Sequence, residues 1–169
     1  MRSINLGAPK QLNLTDFEDK SLIVVDDDDP FRNRLSRAME KKGFSVKEAK
    51  TAEKAIEIIK SNPPAFAVVD LRLETGNGLD VVKELSKIKK DSRIVMLTGY
   101  GNLPTAVAAV KAGAIDYMAK PVDADDVESA LLASPDTKAK PPENPMSADR
   151  VKWEHIHRVF ELCNRNVSE

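Results

Sequence analysis

A single cysteine among 169 residues, Cys163, leaves no internal disulfide framework and suits a reducing compartment. The only two histidines, His155 and His157, have neither partner cysteines nor metal-ligand spacing, so they read as surface residues. No apolar run approaches the roughly 20 residues of a membrane span. The opening MRSINLGAPKQLNLTDFEDK also lacks the apolar core of a signal peptide. A cytoplasmic protein that does not engage a membrane is therefore expected. Charge of one sign is lacking too: 26 basic against 27 acidic side chains give a net charge of −1, which names no partner. It does not exclude DNA, because an acidic neighbour can mask a basic surface.

What is present is an ordinary globular balance, 41% hydrophobic and 31% charged, in a length that suits one well-buried domain and a smaller appendage. Residues 1–20 are polar with scattered Leu6, Leu12, Leu14 and Phe17, and read as an N-terminal extension. From Ser21 to Ser134, short β-rich runs alternate five times with amphipathic stretches, the pattern of a parallel sheet with helices on both faces. The runs are Leu22–Val25, Phe44–Ala49, Phe66–Asp70, Arg93–Thr98 and Ile115–Ala119. LIVV, FAVV and IVML are continuously apolar, as strands covered on both faces should be.

Between the runs, Phe31, Leu35 and Met39 share one helix face, as do Ala52, Ile56 and Ile59, and then Leu79, Val82, Leu85 and Ile88. A short alanine-rich helix over Pro104–Ala112 offers only Val107 and Val110 for packing. A last one, Ala124–Leu132, has Asp123 as N-cap and turns Val127, Ala130 and Leu131 inward. Residues 135–146 hold Pro135, Pro141, Pro142 and Pro145 and read as an extended linker. Over residues 147–169 a helix is expected, with Trp153, Ile156, Phe160 and Cys163 at helical spacing. Ser168 before Glu169 looks like the opening of another helix, which suggests a truncated chain.

In such a sheet, ligands bind beyond the carboxyl ends of the strands. Those ends carry Asp26 and Asp27, then Asp70, then Thr98, then Lys120 followed by Pro121. Three carboxylates at one edge of an apolar sheet repel each other, and a divalent cation with hard oxygen ligands is the simplest relief. Mg²⁺ suits the site better than Ca²⁺, since few protein oxygens are available and waters and a phosphoryl group need room. Lys120 adds positive charge for phosphoryl oxygens and Thr98 a hydroxyl. Together these groups suit an in-line phosphoryl transfer.

LIVVDDDDP, VVDLRLETGNGLD, MLTGYG and DYMAKP, in that order and spacing, resemble the four motifs of the receiver domain of bacterial two-component response regulators. The resemblance implies a flavodoxin-like sheet of order 2-1-3-4-5 and a signalling protein, not an enzyme, that takes a phosphoryl group from a sensor histidine kinase on Asp70. It further implies that Asp27, Asp70 and the Arg72 carbonyl bind Mg²⁺, with Asp26 acting through a water. Thr98 and Lys120 would hold the phosphoryl group, Thr98 and Tyr117 would act as switch residues, and the bond before Pro121 would be cis. DLRLETGNGLDVV and TGYGNLPTAVAAVKAGAIDYMAKP are similar to the RegA/PrrA/ActR class of redox-responsive global regulators. RVKWEHIHRVFELCNRNVSE is similar to the first helix of that class's Fis-type helix-turn-helix. DNA binding is thereby implied for a parent protein and not expected of a chain ending at Glu169, since bases are read by the second helix. A homodimer is a further candidate assembly.

Several of these residues have plainer readings. Asp29 before Pro30 is most simply a helix N-cap with proline at the first helical position, and Asp28 a solvated loop residue. Thr98 or Lys120 alone would be unremarkable, and only their joint placement singles them out. Tyr117 could be plain core. Cys163 on an apolar helix face reads as packing, since a sensing thiol would need exposure and acidification. A haloacid-dehalogenase-type phosphatase also places a nucleophilic Asp at a strand end, but it wants a second Asp where this chain has Arg72. No glycine-rich loop follows the first strand, which argues against a dinucleotide-binding domain. A receiver serving only as a binding platform is unnecessary, given the intact phosphorylation set.

Overall fold

Apolar runs without alternation need cover on both faces, and they receive it in the computed structural model, which describes residues 12–99 and 103–133. The strands are β1 (Ser21–Val25), β2 (Ser45–Ala49), β3 (Phe66–Asp70), β4 (Arg93–Thr98) and β5 (Asp116–Ala119). They alternate with α1 (Asp29–Lys41), α2 (Ala52–Ser61), α3 (Gly78–Ile88), α4 (Leu103–Ala112) and α5 (Ala124–Leu131). All strand pairings are parallel and the sheet order is β2-β1-β3-β4-β5, the flavodoxin-like order expected.

Alternate side chains of each central strand enter opposite cores. Ile23, Val25, Ala67 and Val69 face α2, α3 and α4. Leu22, Val24, Phe66 and Val68 face α1 and α5. Each of these fully buried Val, Leu, Ile and Phe side chains contributes about 1.5–3 kcal/mol relative to exposure, so the two cores fix which way every strand end points.

Four local expectations change. The cap of α1 is Asp28, not Asp29: its carboxylate accepts from the Phe31 N–H and its backbone is extended. Pro30 tolerates a first-turn place because the N–H it lacks would have no partner there. Asp29 instead begins the helix and pairs with Arg32 and Lys50. On α3 the buried stripe is Val81, Val82 and Leu85, while Leu79 is partly buried and Ile88, on the last turn, is 41% exposed. On α4 the buried residues are Ala106, Ala109 and Ala112, with Val107 and Val110 only flanking them, because small side chains let this helix approach the sheet closely.

The fourth change concerns the residues before Ser21. Leu14–Asp16 form a 3-10 turn, Leu14 is buried, and Phe17 packs edge-to-face on Phe66 at 5.0 Å. The Leu12 N–H reaches the Leu132 carbonyl at 3.1 Å, so this stretch lies against the end of α5. Four apolar residues without a period gave no hint of a packed turn. The expected linker over 135–146, the helix over 147–169 and Cys163 lie outside the described residues.

Candidate functional site

Parallel strands of similar length bring their carboxyl ends to one edge, and there the register does the assembling. Val25 is level with Val69, and Asp70 with Leu97, so the residues just past β1 and at the end of β3 become neighbours. Carboxylate oxygens of Asp26, Asp27 and Asp70 lie within 4.8 Å of one another. Asp26 and Asp70 are buried, at 1% and 7% exposure, and Asp27 is half-buried.

Lys120 completes the cluster. Its Nζ lies 2.7 Å from Asp26 Oδ2 and 3.4 Å from Asp70 Oδ2. The Lys120 N–H donates to the Thr98 carbonyl at 2.7 Å, continuing the β4–β5 pairing past Ala119. The Lys120–Pro121 bond is cis. Thr98 is buried at the end of β4, and Tyr117 is buried in the α3–α4 core. Arg72 is exposed in the loop after β3, bridged to Asn77, and its N–H bonds toward the Asp70 carboxylate.

The electrostatics follow from this packing. Burial, and then the charge of Asp26, push the Asp70 carboxyl up to about 6, against the pull of Lys120 and of the Arg72 N–H. For Lys120, burial opposes the charge, but Asp26 and Asp70 outweigh it and hold the ammonium above its ordinary range. One lysine thus compensates only part of three clustered carboxylates. The residues fit a hard divalent cation: the donors are carboxylate oxygens within reach of one point, and buried Asp70 is short of positive charge.

Asp26, Asp27, Asp70, Thr98, Lys120 and the Arg72 backbone therefore lie on this edge, whereas the Arg72 side chain is exposed and Tyr117 is buried in the core. Two neighbours went unremarked in the sequence. Phe31 holds its ring 4.4 Å from Lys120 Nζ, and Arg32 reaches back to the Asp26 carbonyl. Phe31 looked like one more member of the α1 core face, and no motif marks Arg32. Asp27 Oδ2 also accepts from the Glu74 N–H at 2.7 Å, which ties the loop after β3 to the cluster.

This arrangement of acidic edge, hydroxyl and lysine on a doubly wound sheet defines a receiver-type module, and the chain belongs to the response regulator receiver domain family, whose model matches residues 22–132. It is 60% identical over 152 residues to the photosynthetic apparatus regulatory protein RegA of Rhodovulum sulfidophilum, covering 90% of this chain and 83% of that one. It is also 57% identical over 151 residues to the acid tolerance regulatory protein ActR of Rhizobium meliloti, covering 89% and 78%. Among solved structures it resembles a response regulator from Burkholderia pseudomallei carrying a phosphorylated aspartic acid, a calcium ion and citrate. That likeness has 32% identity and a TM-score of 0.66, over 89% of each chain.

Proposed function

We propose that Asp70 accepts a phosphoryl group from a sensor histidine kinase and that the resulting conformational change controls transcription. The observation that carries this reading is the Lys120 ammonium between Asp26 and Asp70, with Asp27 within 4.8 Å, on one strand-end edge. Asp70 supplies the attacking carboxylate oxygen: a P–O bond forms as the P–N bond of a phosphohistidine breaks, and the departing imidazole leaves neutral by taking a proton from solvent water. Lys120 turns from Asp70 to a phosphoryl oxygen, and the Thr98 hydroxyl donates to another. Asp27, Asp70 and the Arg72 carbonyl would hold Mg²⁺ directly and Asp26 through a water, and the ion supplies the charge neutralisation that phosphoryl transfer needs. The chain catalyses only its own phosphorylation and dephosphorylation.

As switch residues, Thr98 and Tyr117 sit on neighbouring strands, with Met96 level with Tyr117 and Thr98 with Ala119. A pull on the Thr98 hydroxyl at the edge would be felt in the core that holds Tyr117. Control of transcription is assigned by likeness to relatives named as regulatory proteins.

Intact mass after incubation with acetyl phosphate and Mg²⁺ tests the proposal. One phosphoryl group should be added to the wild type, none without a divalent cation and none to Asp70→Asn; full single-site labelling of that variant would overturn it. The metal assignment has its own check. Asp27→Ala should weaken Mg²⁺ binding by more than about tenfold, since it removes a direct ligand, whereas Asp29→Ala should cost only a few-fold. Equal losses in an amide NMR titration would show that the ligand is misplaced along the aspartate run.

A further inference from the structure

We propose that Arg32 is a positioning residue for the Asp26–Asp27 carboxylate pair, an inference that rests on the site proposed above. Its Nη1 donates to the Asp26 carbonyl at 2.8 Å, across the turn that joins β1 to α1. The remainder of the guanidinium is held from two other directions: Nη2 lies 2.7 Å from Asp29 Oδ1 in the first turn of α1, and Nε lies 2.9 Å from Glu48 Oε1 on β2. The side chain is only 13% exposed, so this three-way fork works with little competing water.

The consequence for Asp26 is that each of its polar atoms is assigned. Its N–H goes to the Ala49 carbonyl at 3.1 Å, Oδ1 accepts from the Asp28 N–H at 2.9 Å, and Oδ2 faces Lys120 at 2.7 Å. The carbonyl is the fourth point, and Arg32 holds it. That carbonyl belongs to the peptide unit leading into Asp27, so fixing it sets the plane from which the Asp27 side chain departs. Four aspartates in a row after a strand would otherwise repel one another and open the turn. A planar guanidinium anchored on β2 opposes this, and an ammonium on a flexible stem cannot match three acceptors lying in three directions.

Groups that orient metal ligands without touching the ion typically change metal affinity by about 10–100-fold when removed. Arg32→Lys keeps the charge and removes the fork, and should weaken Mg²⁺ binding by about tenfold in an amide NMR titration at a temperature where the variant is folded. In Glu48→Gln the Asp26 contact survives with a looser anchor, and a smaller loss of about two- to threefold is expected. If Arg32 acts through the pair, the Arg32→Lys loss should shrink in an Asp27→Asn background, because the ligand it positions is already impaired. Mg²⁺ affinity of folded Arg32→Lys within twofold of wild type would overturn the proposal, as would a full, additive loss in the Asp27→Asn background. Should Arg32→Lys not fold, Glu48→Gln decides, and unchanged affinity there counts against it. Failure of the wild type to take a phosphoryl group would strike the assignment of Asp70 and leave this metal-affinity result standing.

Discussion

Gly78→Ala should destabilise the protein by about 2–3 kcal/mol, a large fraction of the roughly 5–15 kcal/mol that holds a domain folded. The reason is space. A Cβ at position 78 would lie 2.1 Å from the Asp70 carbonyl oxygen and 3.0 Å from the Leu71 Cα, and both are backbone atoms that no rotamer change can move. The Gly78 N–H donates to the Leu71 carbonyl at 2.9 Å, and Asn77 caps α3 through the Leu79 N–H at 2.8 Å. Helix and strand end are therefore locked together where the methyl would go. Relief requires α3 to withdraw or the end of β3 to shift, and the second route carries Asp70 with it. Weaker Mg²⁺ binding should accompany the loss of stability. Gly99 is the matched control, since a Cβ there meets nothing within 4 Å and Gly99→Ala should stay within about 0.5 kcal/mol of wild type. Urea melts of the two variants would decide, and equal midpoints would remove the steric argument.

The same loop shows what could and could not be read from sequence. Strand ends were legible because apolar runs stop abruptly at polar or charged residues: VV before Asp26, VV before Asp70, ML before Thr98. A parallel sheet with cover on both faces follows from those runs, and its carboxyl edge gathers their terminal residues whatever the loops do. Side-chain partners one step removed were not legible. Arg32 is a helix residue of an unremarkable type, and only the fold brings Glu48 and the Asp26 carbonyl within its reach. Spacing places Phe31 on the core face of α1, where it does pack, but gives no sign that its ring also meets Lys120. The cap of α1 slipped by one residue because all four aspartates can cap, and only the backbone at Asp28 decides among them. On α4, periodicity weighted toward large side chains pointed to valines, whereas close packing preferred alanines.

Asp70→Asn should make the metal-free protein more stable at pH 7 by up to about 3 kcal/mol, on the order of 10 °C in melting temperature. The Asp70 carboxyl, ordinarily near 3.8, is raised to about 6, first by burial and second by the neighbouring charge of Asp26. Between those two values the folded state binds a proton that the unfolded chain releases. The favourable contribution is therefore complete below about pH 4 and is lost as pH rises through 6. At pH 7 the folded protein carries the full cost of an ionised carboxylate in a site that Lys120 only partly compensates. Asparagine has nearly the same shape and no charge, and the 2.7 Å contact of Lys120 with Asp26 does not involve residue 70. The advantage of Asp70→Asn should shrink on acidification and vanish near pH 4. It should also shrink in Mg²⁺, because an ion that binds the folded wild type stabilises it by mass action and the variant lacks one of the proposed ligands. Thermal melts across pH 4–8, with and without Mg²⁺, test both dependences. A variant no more stable than wild type at pH 7 would show that Lys120 already neutralises the cluster. An advantage that grew toward low pH would mean that the proton binds elsewhere.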